Sequence, residues 1–219
     1  MSGDVLIVRP QPGADSTAAR LEAAGLSPRI IPLFEVRPRA WARADAGEFY
    51  AILFTSANAL RHGGAGLAAL TALPAWCVGE ATAQAARAVG FAVAVVGDAD
   101  GASLLARPDV PPRLLWLRGA DARPLSRPGV IERVVYASEQ RDVAPASLAG
   151  AAIALAHSPR AAERLRALVP DRERVALVAI SDRAAEAAGS GWRRIAIADA
   201  PHDAAMVAAA VRLWQEGGA

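Results

Sequence analysis

The residues able to do chemistry recur just past the ends of short apolar runs. They are Arg9-Pro10, Thr55-Ser56-Ala57-Asn58, Gly79-Glu80-Ala81-Thr82, Arg118-Gly119, His157-Ser158 and Ser181-Asp182-Arg183. Hydroxyls and guanidiniums bind anions, and free N–H groups at a helix start favour carboxylate or phosphate. The same residue types are ordinary helix N-caps. Capping explains any one of them more economically, whereas anion binding gains ground for the set. Two phenols are available. Tyr50 opens an apolar run and is read as a packing residue. Tyr136 lies in an extended segment, where it could serve as a weak acid or hydrogen-bond donor, with packing as the competing role.

Other chemistries are closed by absence. All 24 basic residues are arginine, so no Schiff-base or P-loop lysine exists. A single cysteine, Cys77, excludes an internal disulfide and a CxxC pair, and His62, His157 and His202 are too scattered to suggest a metal site. The first run is followed by Arg9-Pro10-Gln11-Pro12-Gly13, which obstructs a dinucleotide loop. Gly63-Gly64-Ala65-Gly66 sits late in a helical stretch and reads as a loop or helix end, and adjacent His157 and Ser158 do not make a triad. Met1 to Arg9 has no secretory pattern, and no run reaches the length of a membrane span. The expectation is a soluble cytoplasmic protein with no nucleic-acid or membrane partner. Its net charge of +2 permits an anionic ligand without demanding one.

These positions need an α/β frame to hold them. Apolar runs at Asp4–Arg9, Tyr50–Phe54, Ala75–Val78, Phe91–Val96, Arg113–Leu117, Ala151–Ala156, Arg174–Ile180 and Trp192–Ala198 read as strands of a mostly parallel sheet. The intervening segments have helical period. One helix is capped by Asp15 or Ser16 and ended by Gly25, and others lie near Ala57–Ala69, Glu80–Val89, Gly101–Ala106, Pro159–Val169, Asp182–Ala188 and Asp203–Gln215. Arg29–Pro38 and Val130–Asp142 are strand-like but lead into no helix. Each is either a crossing between two lobes or an edge strand. An internal repeat sharpens the frame: Ser56 and Ser158 lie 102 positions apart, as do Gly79 and Ser181, and Leu6–Pro10 resembles Leu115–Gly119. The chain therefore reads as a duplicated α/β unit.

In order and spacing these motifs resemble the uroporphyrinogen-III synthase family over nearly the whole chain. The residues concerned are Val8-Arg9-Pro10, Phe54-Thr55-Ser56-Ala57-Asn58, Val78-Gly79-Glu80-Ala81-Thr82-Ala83, Leu117-Arg118-Gly119, Val134-Val135-Tyr136, Ser158-Pro159 and the closing Asp203–Gln215 segment. The resemblance implies two similar flavodoxin-like parallel-sheet lobes joined by a two-stranded linker. The first lobe would be discontinuous, residues 1–35 and 141–219, the second 38–130, with linker strands at about 29–38 and 130–142. It implies a cofactor-free monomeric lyase that closes hydroxymethylbilane, a linear tetrapyrrole polycarboxylate, with inversion of its last ring and loss of water. Tyr136 would help the hydroxyl leave. Arg9, Pro10, Thr55, Ser56, Asn58, Gly79, Thr82, Arg118, Gly119, Ser158, Ser181 and Arg183 would hold the substrate in a cleft.

Two departures stand out. Ser181-Asp182-Arg183-Ala184 replaces the family's second glycine-x-x-threonine turn, and Pro124 and Pro128 shorten the helix expected after Gly119. A non-catalytic two-lobed binding protein and a degenerate paralogue of the synthase are the competing readings.

Overall fold

Burial on both faces turns the central apolar runs into parallel strands, and most strands are followed by a helix that covers one face. The computed structural model describes residues 3–217; Met1, Ser2, Gly218 and Ala219, which the expected first lobe includes, lie outside the described residues. In chain order the elements are β1 (Asp4–Ile7), α1 (Gly13–Ala23), β2 (Pro28–Ile30), β3 (Phe34–Pro38), β4 (Ala51–Phe54), α2 (Ala57–His62), β5 (Ala75–Cys77) and α3 (Glu80–Ala88). They continue with β6 (Val93–Val96), α4 (Gly101–Leu105), β7 (Leu114–Gly119), β8 (Val130–Gln140), β9 (Ala151–Ala156), α5 (Pro159–Leu168), β10 (Ala176–Ala179), α6 (Asp182–Ala188), β11 (Arg194–Ile197) and α7 (Asp203–Glu216).

The chain divides into two units, Met1–Glu35 with Gln140–Ala219, and Val36–Glu139. In the first, the sheet order is β11-β10-β9-β1-β2, all parallel. In the second, it is β6-β5-β4-β7-β8, again parallel, with β3 added beside β8. Strands matched by the 102-residue offset hold the same places: β4 answers β9, β5 answers β10 and β6 answers β11. β7 and β8 stand where β1 and β2 stand. Both sheets thus have the doubly wound 2-1-3-4-5 order, reached through permuted connections.

Alternation along the strands gives each sheet two apolar faces. In the first unit Val5, Ile7, Ile153 and Leu155 pack against α1 and α7, whose contributions include Leu21, Met206 and Leu213. Leu6, Val8, Ala154 and Leu177 pack on the opposite side against Ala162 and Leu165 of α5 and Ala184 of α6. In the second unit α2 and α3 cover Ile52, Phe54 and Leu115. The other face carries only the short α4, and Trp76 and Trp116 fill the space beside Leu104, Leu105 and the partly buried Leu125. No helix lies between β7 and β8, so the shortened helix expected there is absent; Pro124 and Pro128 remove the amide donors it would need.

Four further expectations are corrected. The Arg29–Pro38 segment is two strands, parted before Phe34: β2 pairs with β1, and β3 sits at the edge of the other sheet. The expected Ala57–Ala69 helix stops at His62 and resumes as a 3-10 turn over Gly64–Leu70, because Gly64 takes a φ of +66° that breaks helical register. Helix α1 begins at Gly13 after Pro12, with no side-chain cap from Asp15 or Ser16. Tyr50 is not a packing residue, since 65% of it is exposed.

Candidate functional site

Parallel strands place all their carboxyl ends on one edge of each sheet, and ligands of such folds sit there, at the point where the winding reverses. That point lies between β1 and β9 in the first unit. The rim here carries Arg9 and Pro10 after β1, His157 and Ser158 after β9, and Ser181 and the exposed Arg183 after β10. Ser158 Oγ accepts from the Ala161 amide at 3.1 Å, and Ser181 Oγ accepts from that of Ala184 at 3.4 Å. Both hydroxyls therefore cap their own helices.

Between β1 and β9 the dominant feature is a carboxylate that sequence reasoning missed. Asp203, opening α7, accepts from Thr17 Oγ1 at 2.6 Å, Arg9 Nη1 at 3.0 Å and His157 Nε2 at 2.8 Å through Oδ1, and from Arg20 Nη1 at 2.7 Å through Oδ2. Arg9 also lies against Gly13, where a methyl group would stand 2.6 Å from Nε. Arg9 is thus engaged inside its own unit. Burial pushes the His157 pKa below its ordinary value, and the Arg9 charge adds to that, against the hydrogen bond to Asp203. The neutral ring donates from Nε2 to the Asp203 carboxylate, and its buried Nδ1 makes no well-formed hydrogen bond, the Leu155 carbonyl offering only a weak one to a proton there. Burial alone would raise the Asp203 carboxyl, yet hydrogen bonds from Thr17 and His157 and the nearby positive charge hold it below its usual range. One signal was present: Ala14, Thr17, Ala18 and Leu21 share the buried face of α1, and a buried threonine there needs a partner.

In the second unit the winding reverses between β4 and β7. Trp116 Nε1 donates across that point to Thr55 Oγ1 at 3.0 Å. Ser56 Oγ caps α2 by accepting from the Asn58 amide at 3.2 Å, and Asn58 Oδ1 accepts from Arg61. Gly79 precedes α3, which has no side-chain cap, so the Glu80 and Ala81 amides are open to an acceptor, whereas the amide of the buried Thr82 donates to the Gly79 carbonyl at 3.1 Å. Arg118 is turned onto its own strand end. It pairs closely with Glu132, donates to the Gly119 and Ala120 carbonyls, and lies over the Trp116 ring.

Tyr136, on β8, comes to the same rim. Gly119 pairs with it in the sheet, and the phenol ring lies over that glycine. Its ring centroid is 6.3 Å from that of His62, and its hydroxyl has no hydrogen-bond partner among the described residues. Thr55, Ser56, Asn58, Gly79, Thr82, Arg118, Gly119 and Tyr136 therefore share one edge, and Arg9, Pro10, Ser158, Ser181 and Arg183 share the other unit's corresponding edge. Cys77 is no nucleophile: it is buried, and burial pushes its thiol up to about 11. Among the described residues no group of His, Cys, Asp and Glu could hold a metal, and no helix is long and apolar enough to cross a membrane.

Two doubly wound parallel sheets, related by permutation and carrying polar rims at their carboxyl ends, define a duplicated α/β protein. The chain belongs to the uroporphyrinogen-III synthase family, whose model, described as uroporphyrinogen-III synthase HemD, matches residues 15–208. The crystal structure of uroporphyrinogen-III synthetase from Helicobacter pylori 26695 is similar with a TM-score of 0.69 at 18% identity, covering 97% of this chain and 100% of that one. A mutant uroporphyrinogen III synthase from the extremely thermophilic bacterium Thermus thermophilus gives 0.50 at 17% identity, covering 98% and 100%. At such identities the likeness shows the fold. No curated protein matches the sequence.

Proposed function

We propose that the protein acts as a uroporphyrinogen-III synthase, a cyclising lyase of tetrapyrrole biosynthesis whose substrate is linear hydroxymethylbilane. Family membership over residues 15–208 supports the reaction. The observation that carries the chemistry is Tyr136, a phenol held over Gly119 at a ligand-binding rim with its hydroxyl unengaged.

In this reading Tyr136 donates to the terminal hydroxyl of the substrate, which leaves as water and generates an azafulvene cation. The last pyrrole ring attacks through its substituted carbon to form a spirocycle. That intermediate reopens and closes again with the ring inverted, and rearomatisation releases the proton that balances the lost hydroxide. No oxidant or reductant enters this balance, so the reaction calls for no redox cofactor. The rims hold the chain in a pre-reactive shape, which supplies most of the required acceleration. Carboxylates of the substrate are met by the amides that follow Gly79 at the uncapped start of α3, beside Thr82, by Thr55, Ser56 and Asn58, and by Ser158, Ser181 and Arg183, while Pro10, which has no N–H, shapes the first rim. Arg9 and Arg118 act by shaping those rims, since each is committed to an internal carboxylate.

We read the units as lobes of residues 1–35 with 141–219 and of 38–130, with β3 and β8 as the linker strands. The support is that the division of the chain falls inside both strands. One chain supplies both rims, which suits a monomer working in the cytoplasm. The test is to incubate freshly generated hydroxymethylbilane with the protein and separate the oxidised products. Uroporphyrin III is the expected product, and uroporphyrin I alone would refute the assignment.

A further inference from the structure

Within the Val36–Glu139 unit, a recess of about 400 Å³ lies between the segment Pro38–Arg43 and the turn His62–Gly66. Its contents are unusual for a surface depression. Trp41 is held in place twice: Nε1 donates to the Gly63 carbonyl at 3.0 Å, and the indole lies on Gly66, where a methyl group would stand 2.6 Å from Cζ2. That arrangement presents a half-buried aromatic wall in a fixed orientation. Around it stand Arg39, Arg43 and His62. Arg39 is paired with Glu139 at 3.1 Å, whereas Arg43 makes no ion pair or hydrogen bond with any described residue. The charge of Arg43 is therefore uncompensated. His62 joins the recess to the chemistry, because its ring lies 6.3 Å from that of Tyr136.

A flat apolar wall beside an unpaired guanidinium fits a flat apolar ring bearing acids. Arginine meets carboxylates through two parallel N–H donors, and an indole face accepts an aromatic ring. We propose that this recess seats one pyrrole ring of the substrate, with the ring against Trp41 and its carboxylate side chains on Arg43 and His62. The ring seated is the one bearing the hydroxymethyl group, because Tyr136 must reach the leaving hydroxyl. This inference rests on the synthase reading and adds to it a specificity site for that ring's acidic side chains.

The test compares wild type with Arg43→Gln, His62→Gln and the conservative Trp41→Phe, using Arg212→Gln on the α7 surface as a charge control. Hydroxymethylbilane kinetics are read together with quenching of tryptophan fluorescence by uroporphyrin I, a stable octacarboxylate. Arg43→Gln should raise KM at least about tenfold, the loss of roughly one charge-assisted hydrogen bond, while kcat changes little. His62→Gln and Trp41→Phe should each raise KM less, the latter because phenylalanine keeps an aromatic face but loses the Nε1 bond that fixes it, and Arg212→Gln should stay near wild type. Quenching should weaken in the same order. If wild type forms the type III isomer and Arg43→Gln keeps its KM and its uroporphyrin affinity, the recess is not a substrate seat although the synthase reading stands. If wild type forms no type III isomer, that reading fails first, and equal quenching of wild type and Arg43→Gln then removes the recess as well.

Discussion

The ring of Tyr136 lies directly on Gly119: a methyl group at Gly119 would stand 2.6 Å from Cε2 and Cζ and 2.8 Å from the hydroxyl oxygen. The missing side chain at the end of β7 thus sets where the phenol on β8 points. Gly119→Ala should displace the ring by about an ångström and lower turnover by roughly 100-fold, the cost of misplacing a positioned group. Circular dichroism and the thermal midpoint should stay close to wild type. Unchanged turnover would show that the phenol's position is irrelevant.

Tyr136→Phe isolates the hydroxyl itself. The ring contact with Gly119 remains, so the fold should persist, while formation of the type III isomer should slow by about 10²- to 10⁴-fold. KM should move far less than kcat, because the hydroxyl acts on the departing group. A variant as fast as wild type removes Tyr136 from the mechanism.

The Asp203 network makes stability depend on pH. Its carboxylate serves Thr17, Arg9, His157 and Arg20 at once, so Asp203→Ala should destabilise the protein by about 2 kcal/mol, allowing for partial exposure of the arginines. His157 ordinarily titrates at 6.5 and is held lower when folded, so the unfolded chain takes up its proton first. Stability is complete above 6.5 and declines as pH falls toward the folded value. Asp203, held below its ordinary 3.8, adds a second loss as pH falls through its own folded value. Urea midpoints measured from pH 7 to pH 5 should fall, and His157→Gln should flatten that decline. His62, lowered by burial and by Arg61, leaves a residual slope. An equally steep decline in the variant would exclude His157 as the source.

Gly129, just before β8, has a φ of +84°, and a methyl group there would stand 1.9 Å from the Pro112 carbonyl oxygen. Gly129→Ala should cost about 3 kcal/mol or more, read as a lowered urea midpoint. It should do so by misplacing β8, the strand that carries Tyr136. A stability equal to wild type would mean that this turn relaxes freely.

The strands were legible because both faces of each sheet are buried, which leaves continuous apolar runs such as Leu6–Val8 and Ile153–Ala156. The repeat was legible as well, and the sheets give it meaning, since Ser56 and Ser158 cap equivalent helices. What could not be read was the sharing of Asp203 among residues on β1's loop, α1 and β9's loop, because such contacts join positions far apart in the chain. Arg9 accordingly looked like a free charge for the ligand, when its guanidinium is held by Asp203. The missing helix after β7 was hidden for a different reason: Pro124 and Pro128 suggested shortening, and only the packing of Trp76 and Trp116 shows its place already filled. Trp41 carried no signal at all, since its partner is a backbone carbonyl, that of Gly63.

The most direct measurement is the isomer ratio formed from hydroxymethylbilane as protein is added. Spontaneous closure yields the uninverted type I ring, so the ratio reports enzymatic inversion alone. The expected result is a type III fraction that climbs with protein at catalytic levels until the type I product is suppressed, and that collapses in Tyr136→Phe. A type I product that persists undiminished at stoichiometric protein would contradict the account.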